Sequence, residues 1–157
     1  MEQGLIGISA TNTSPLMCPT RSMEAGLGTN PISFAAPADK DDSFVLDMAT
    51  TAVAVGKIEI ERRKGVSVPL GWAHDTKGKM TTDADVAFES GCLAPLGGSE
   101  LTSGFKGYGL GAMVEVLCGI LAGANFSTKI RKWTHVRKYE IVFESFVKKI
   151  FFLQVGA

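Results

Sequence analysis

The sequence predicts an α+β domain. Two apolar segments, Ile32 to Pro37 and Phe44 to Leu46, flank the polar stretch Ala38-Asp39-Lys40-Asp41-Asp42, the pattern of a strand, a turn and a second strand. After Asp47 the hydrophobic period changes to that of a helix, with Val53, Ile58 and Ile60 set among Glu59, Glu61, Arg62, Arg63 and Lys64. Neither glycine cluster carries the fingerprint of a dinucleotide-binding parallel sheet. Gly26-Leu27-Gly28-Thr29-Asn30-Pro31 lacks the third glycine and meets a proline, and Gly107-Tyr108-Gly109-Leu110-Gly111 has the wrong spacing. The sheet is therefore expected to be of a non-Rossmann kind.

In chain order, Leu5 to Ala10 is a short apolar run closed by Thr11-Asn12-Thr13-Ser14-Pro15, which suits a buried strand ending in a hydroxyl-rich turn. Glycine, proline and polar residues dominate from Leu16 to Asn30, a structured loop leading to the second strand. Phe44-Val45-Leu46, uninterrupted by polar residues or proline, reads as a central strand. A helix follows over roughly Thr51 to Lys64, with Gly65 as its C-cap and its N-terminus beside Asp47 and Thr50. Val66 to Gly78 is a loop anchored by Trp72-Ala73-His74, and Asp83 to Phe88 forms a short helix before Gly91. Leu110 to Phe126 is almost wholly apolar but short for a membrane span and interrupted by Glu115, so it reads as a buried helix, with Gly119 and Gly123 admitting close neighbours. From Ser127 to Ala157 the composition turns basic and aromatic, with Ile130, Trp133, Tyr139, Phe143, Phe146 and Ile150 at loosely helical spacing. That stretch is expected either to lie on a membrane surface or to be a poorly ordered extension.

Composition narrows the function. A chain of 157 residues that is 45% hydrophobic supports one compact domain. Sixteen basic and sixteen acidic residues leave no net field to attract nucleic acid or an acidic surface. Cys18, Cys92 and Cys118 are odd in number, widely separated and free of CxxC spacing, which argues against a disulfide framework or a zinc site and for a reducing, cytoplasmic location. The N-terminus lacks a basic segment followed by a long apolar one, so no secretory signal is read there.

Two places can carry chemistry. A carboxylate at Asp47, where a strand gives way to a helix, suits a ribose or substrate hydroxyl, with the helix N-terminus near a phosphate; on spacing alone, Asp47 capping its own helix is the simpler reading. Lys106, between Phe105 and Gly107 at the entry to an apolar helix, suits a phosphate or carboxylate, although a solvated loop lysine is the commoner case. His74 lies near Asp75, an imidazole–carboxylate pair for acid–base work, but reads more simply as a surface-loop histidine. His135 is the other histidine; Cys18 has no evident base partner, and no metal-ligand constellation is present.

Four segments in order then carry a resemblance: Ile8 to Pro15, Leu27 to Ile32, Val45 to Thr51 with Gly56-Lys57 after it, and Gly104 to Leu110. Through them residues 1–126 resemble the type 2 malate/L-lactate dehydrogenase family, which includes ureidoglycolate, sulfolactate, diketogulonate and Δ1-piperideine-2-carboxylate oxidoreductases. The resemblance implies a mixed, largely antiparallel sheet flanked by helices, NAD or NADP as cofactor, and hydride transfer to or from a small 2-oxo or 2-hydroxy acid. It implies a homodimer and no integral membrane segment. It puts Thr13, Asp47, Met48, Ala49, Phe105 and Lys106 near the cofactor and Thr29 near the substrate or nicotinamide, which makes the cofactor role of Asp47 the favoured one. The family's general acid is a histidine in a segment preceding these motifs, so no catalytic residue is assigned to this chain. Arg21-Ser22 stands where the family usually has a glycine pair. The family pattern is expected to stop near Ser127, leaving 127–157 as a divergent tail on a partial family member. The alternative is a non-catalytic remnant that binds cofactor weakly or associates with a full-length relative.

Overall fold

The computed structural model describes residues 5–39, 42–132 and 149–154. A four-stranded sheet in the order β3-β2-β1-β6 forms the frame, from β1 (Leu5–Ala10), β2 (Ile32–Pro37), β3 (Ser43–Met48) and β6 (Lys149–Gln154). Every ladder in it is antiparallel, with Ala10 opposite Ile32, Ile32 opposite Met48 and Ala10 opposite Lys149. The end of β1, the start of β2 and the end of β3 therefore lie side by side. A two-stranded ribbon of β4 (Ala73–His74) and β5 (Met80–Thr81) and the helices α1 (Val55–Lys64), α2 (Ala84–Ser90) and α3 (Gly104–Glu115) complete an α+β arrangement.

Local chemistry explains the helix ends. Gly65 adopts a left-handed φ of 67°, and the Gly65 and Val66 amides close onto the Arg62 and Glu61 carbonyls. Asp83 caps α2 by accepting from the Asp85 and Val86 amides at 2.9 and 3.0 Å, and Gly91 ends it in the same left-handed region. One apolar cluster joins α1, α2 and β4 through Ile58, Val53, Ala87, Ala73 and Leu93; another, Ala10, Val114 and Cys118, joins the sheet to α3.

Several expectations change. Phe44-Val45-Leu46 lies on the outer strand of the sheet, not a central one, and all three side chains are exposed, Val45 at 60%. An apolar run marks a strand but fixes neither its burial nor its place in the sheet order. The first helix begins at Val55 with Ala54 as an N-cap lacking a side-chain bond, so Asp47 lies inside β3 opposite Ser33 and caps nothing. The apolar run expected as a buried helix from Leu110 is already helical at Gly104 and continues through a π-helical turn, Val116–Ile120. One face only is buried: Phe105, Met113, Val116 and Ile120 recur at helical spacing and are exposed. Gly119 does admit close neighbours, since a Cβ there would stand 2.8 Å from Phe126 Cβ, whereas Gly123 serves a left-handed turn with open space around it. No helix among the described residues is long and apolar enough to cross a membrane. Of the aromatic tail, residues 133–148 and His135 lie outside the described residues; Ile150, expected at helical spacing, belongs to β6, which pairs along β1.

Cysteine spacing also misled. Cys18 and Cys92, both buried, form a disulfide across a sequence separation of 74 residues, so Cys18 does have a partner and the spacing argument for a reducing compartment loses its premise. The bond joins the loop after β1 to the strand-like segment after α2, already held together by the Cys18 amide on the Leu93 carbonyl at 3.1 Å. Closing so long a loop constrains the unfolded chain, so Cys92→Ala, or reduction with dithiothreitol, is expected to cost about 2–4 kcal/mol, read as a lower denaturant midpoint.

Candidate functional site

The loop after β1 and the turn before β2 meet through two threonines. The Thr29 amide donates to Thr13 Oγ1 at 2.9 Å, and the two hydroxyls stand 3.3 Å apart. Gly28 makes this approach possible, because a Cβ there would fall 2.2 Å from Thr13 Oγ1 and 2.3 Å from its carbonyl. The segment leaving β3 joins the same place: the Thr50 amide and hydroxyl both donate to the Thr29 carbonyl, at 2.9 and 3.0 Å, which ties the end of the Met48–Ala49–Thr50 segment to Thr29.

The third contributor is the start of α3. The Thr50 carbonyl accepts the Leu96 amide at 2.9 Å, and Leu96 lies directly against Gly107. Gly111, a turn further on, faces Met17 and Thr50. Gly104 and Gly107 let the helix rest on backbone and Gly111 lets it rest on the Met17 and Thr50 side chains, which leaves Phe105 and Lys106 in its first turn exposed toward solvent. Of the residues singled out in the sequence, Thr13 and Thr29 thus meet directly, while Met48 and Ala49 lie in the segment that Thr50 ties to Thr29. Phe105 and Lys106 come in through the Leu96–Thr50 link. Asp47 stands one residue back on the outer strand, exposed.

Below this surface is a polar cluster that motif reading passed over. Glu115, 4% exposed, accepts from Asn30 Nδ2 at 2.6 Å, from the Ser127 amide at 2.7 Å and from Asn12 Nδ2 at 3.2 Å. Asn30, fully buried with a φ of 32°, also takes the Thr13 amide on its Oδ1 at 3.0 Å. The signal in the sequence was a lone carboxylate inside the apolar run of α3, a group that is buried only with donors around it. Ser127 belongs to this cluster, and its hydroxyl donates to the Gly26 carbonyl at 2.7 Å, so the start of the tail is built into the site's base.

The remaining candidates fall elsewhere. His74 is buried in β4 at 7% exposure, not on a surface loop. Asp75 does not orient it: that carboxylate accepts from the Lys77 and Lys79 amides, each at 2.8 Å, and these donors hold its pKa down. Burial lowers the pKa of His74, and its Nδ1 finds no hydrogen-bond partner among the described residues. The unfolded chain, titrating near 6.5, therefore binds a proton that the folded chain refuses. Stability is expected to fall as pH drops through that value, by at most about 1.4 kcal/mol per pH unit, and to level off below the depressed folded pKa. Denaturant midpoints between pH 5 and 7 should show this slope, and His74→Gln should flatten it. A groove of about 590 Å³ is lined by Ser14, Pro15, Met23, Phe88 and Lys132 among others, with neither threonine of the pair in its wall. Arg21, at the position where a glycine was expected, takes a left-handed φ of 67° and forms an exposed ion pair with Glu100, its Nε donating at 2.8 Å.

Known proteins resemble this chain in sequence and fold. The family model for malate/L-lactate dehydrogenase matches residues 1–148. A malate dehydrogenase of Pyrococcus horikoshii is 52% identical over 131 residues, covering 83% of this chain and 36% of that protein. An NAD(+)-specified ureidoglycolate dehydrogenase of Escherichia coli O157:H7 is 41% identical over 127 residues, covering 81% of this chain and 34% of its own length. A crystal structure of a dehydrogenase from Sinorhizobium meliloti superposes with a TM-score of 0.79 at 33% identity, covering 99% of this chain and 44% of that one. The chain thus spans about a third of the length of the curated relatives it matches. With nearly the whole sequence matched by one family model and the fold shared at over 30% identity, this chain belongs to the malate/L-lactate dehydrogenase family.

Proposed function

We propose that this chain supplies the nicotinamide-binding part of an NAD- or NADP-dependent oxidoreductase that moves a hydride between the cofactor and a small 2-oxo or 2-hydroxy acid. The observation that most supports this reading is the meeting of the Thr13–Thr29 pair, the Met48–Thr50 segment and the first turn of α3 at one end of the sheet. The donor set suits a dinucleotide: an exposed amine at Lys106 for phosphate, an exposed carboxylate at Asp47 for a ribose hydroxyl, and the ring of Phe105, 54% exposed, for an apolar face. Bound there, the nicotinamide would supply or accept the hydride.

In this reading Thr13, Asp47, Met48, Ala49, Phe105 and Lys106 hold the cofactor, and the Thr29 hydroxyl orients the acid. The framework is a non-Rossmann one, in keeping with antiparallel ladders where a dinucleotide fold of that type needs parallel strands. Residues 1–126 carry the cofactor site. Cytoplasmic residence and a homodimer are part of the same proposal. No catalytic residue is assigned within this chain.

Titrating the purified chain with NADH and following nicotinamide fluorescence tests the reading. Lys106→Ala is expected to weaken binding about tenfold, the worth of one charge-assisted hydrogen bond, and to reduce its salt dependence. Absence of binding at millimolar cofactor would rule the site out.

The exposed apolar residues of β3 and of the outer face of α3 favour a second reading, in which the chain acts as a non-catalytic unit associated with a full-length relative. Co-purification with such a relative supports it. A stable, cofactor-binding monomer counts against it.

A further inference from the structure

We propose that Glu115 is a positioning residue for the Thr13–Thr29 hydroxyl pair, acting through Asn30. The proposal rests on the cofactor-site reading above and assigns a role to groups that touch neither cofactor nor substrate.

The direction of every bond in the cluster is set by its chemistry. Glu115 Oε1 accepts from Asn12 Nδ2 and the Ser127 amide, while Oε2 accepts from Asn30 Nδ2. Asn30 Nδ2 also donates to the Gly111 carbonyl at 3.0 Å, and its Oδ1 accepts the Thr13 amide. The asparagine is therefore held in one orientation, amide nitrogen toward α3 and oxygen toward Thr13. Thr13 Oγ1 in turn takes the Thr29 amide. A continuous chain of hydrogen bonds runs from Glu115 at the C-terminal end of α3 to the two hydroxyls. The Asn30 carbonyl extends it to the third segment, accepting from the Thr50 hydroxyl at 3.2 Å. Buried at 4% and 0% exposure, Glu115 and Asn30 have no water to substitute for a lost partner, so an error at one end is transmitted along the chain.

A carboxylate is required at position 115 by donor–acceptor matching. In Glu115→Gln the new amide keeps one oxygen for Asn12 and Ser127 but turns an NH2 group on the NH2 of Asn30. Flipping Asn30 only moves the conflict, since its NH2 then faces the Thr13 amide. Adding Asn30→Asp removes it: the carboxylate now at position 30 accepts both from the amide introduced at position 115 and from the Thr13 backbone, and only the Gly111 carbonyl loses a donor.

The test measures NADH dissociation constants and amide hydrogen exchange for the wild-type chain, Glu115→Gln and the Asn30→Asp/Glu115→Gln swap, below the melting temperature of each. The single variant is expected to weaken NADH about tenfold and to speed exchange of the Thr13 amide about tenfold, the loss of one buried hydrogen bond. The Ser127 amide, whose acceptor remains, should change little, and the swap should bring both readouts back toward wild type. Exchange that rises uniformly over the chain, or a swap that restores neither readout, overturns the proposal. Should the single variant fail to fold, a folded swap with native Thr13 exchange supports the proposal and an unfolded swap overturns it. A wild-type chain that does not bind NADH defeats the cofactor-site reading alone, because Thr13 exchange and its rescue still decide the positioning role.

Discussion

Gly107→Ala is expected to destabilise the chain by about 3 kcal/mol, near the upper end for overpacking a closed contact. A Cβ at that position would stand 2.2 Å from the Leu96 carbonyl oxygen and 2.5 Å from its amide nitrogen, both backbone atoms with nowhere to go. Leu96 is itself pinned by its amide on the Thr50 carbonyl, so the helix rather than the loop has to move. Phe105 and Lys106 move with it, and cofactor binding should weaken along with stability. Gly109, two residues on in the same helix, is the control: a Cβ there meets nothing within 4 Å. Gly109→Ala is expected to stabilise by about 0.5–1 kcal/mol, the ordinary gain of alanine over glycine in a helix. Opposite signs for the two variants in a denaturant titration would establish how α3 docks; equal signs would refute that docking.

Glu115→Ala is expected to cost a further large amount, about 3 kcal/mol. Truncation leaves the Ser127 amide without its acceptor, while Asn12 and Asn30 each keep one other partner, the Asn125 and Gly111 carbonyls at 3.0 Å. A partly buried donor left unmade costs about 1 kcal/mol, and the emptied volume at position 115 adds about 2 kcal/mol to it. The loss is partly offset because a buried carboxylate no longer has to be desolvated. Equilibrium unfolding measures it. A cost under about 1 kcal/mol would mean that water reaches the cluster and that the hydrogen bonds are replaceable.

Local chemistry was readable wherever a signal is decided within a few residues. The β2–turn–β3 unit, the end of the first helix at Gly65 and the short helix closing at Gly91 all follow from hydrophobic period and glycine placement. Thr13 and Thr29, named through the family motifs, are in hydrogen-bond contact, and Met48 and Ala49 precede the Thr50 that bonds the Thr29 carbonyl. Asp47 does stand near the end of β3, but the helix starts at Val55 and not near Thr51, because a helix start without a capping side chain at Ala54 leaves no mark in the sequence. The Cys18–Cys92 pair was missed for a related reason: spacing reports motifs, whereas a bond across 74 residues depends on where two distant loops are carried.

The sequence alone determined the α+β class, the segments of β1, β2 and β3, the two helices that end at Gly65 and Gly91, and the family, since these depend on period, caps and short motifs. The tertiary structure decided that β3 is an edge, that β6 joins β1, that His74 is buried and that α3 shows one apolar face to solvent. It also decided the polar base of the site, where Glu115, Asn30, Asn12 and Ser127 meet from four separate stretches of chain. No periodicity encodes such a meeting, because desolvation and hydrogen-bond matching act between groups brought together only by the finished fold.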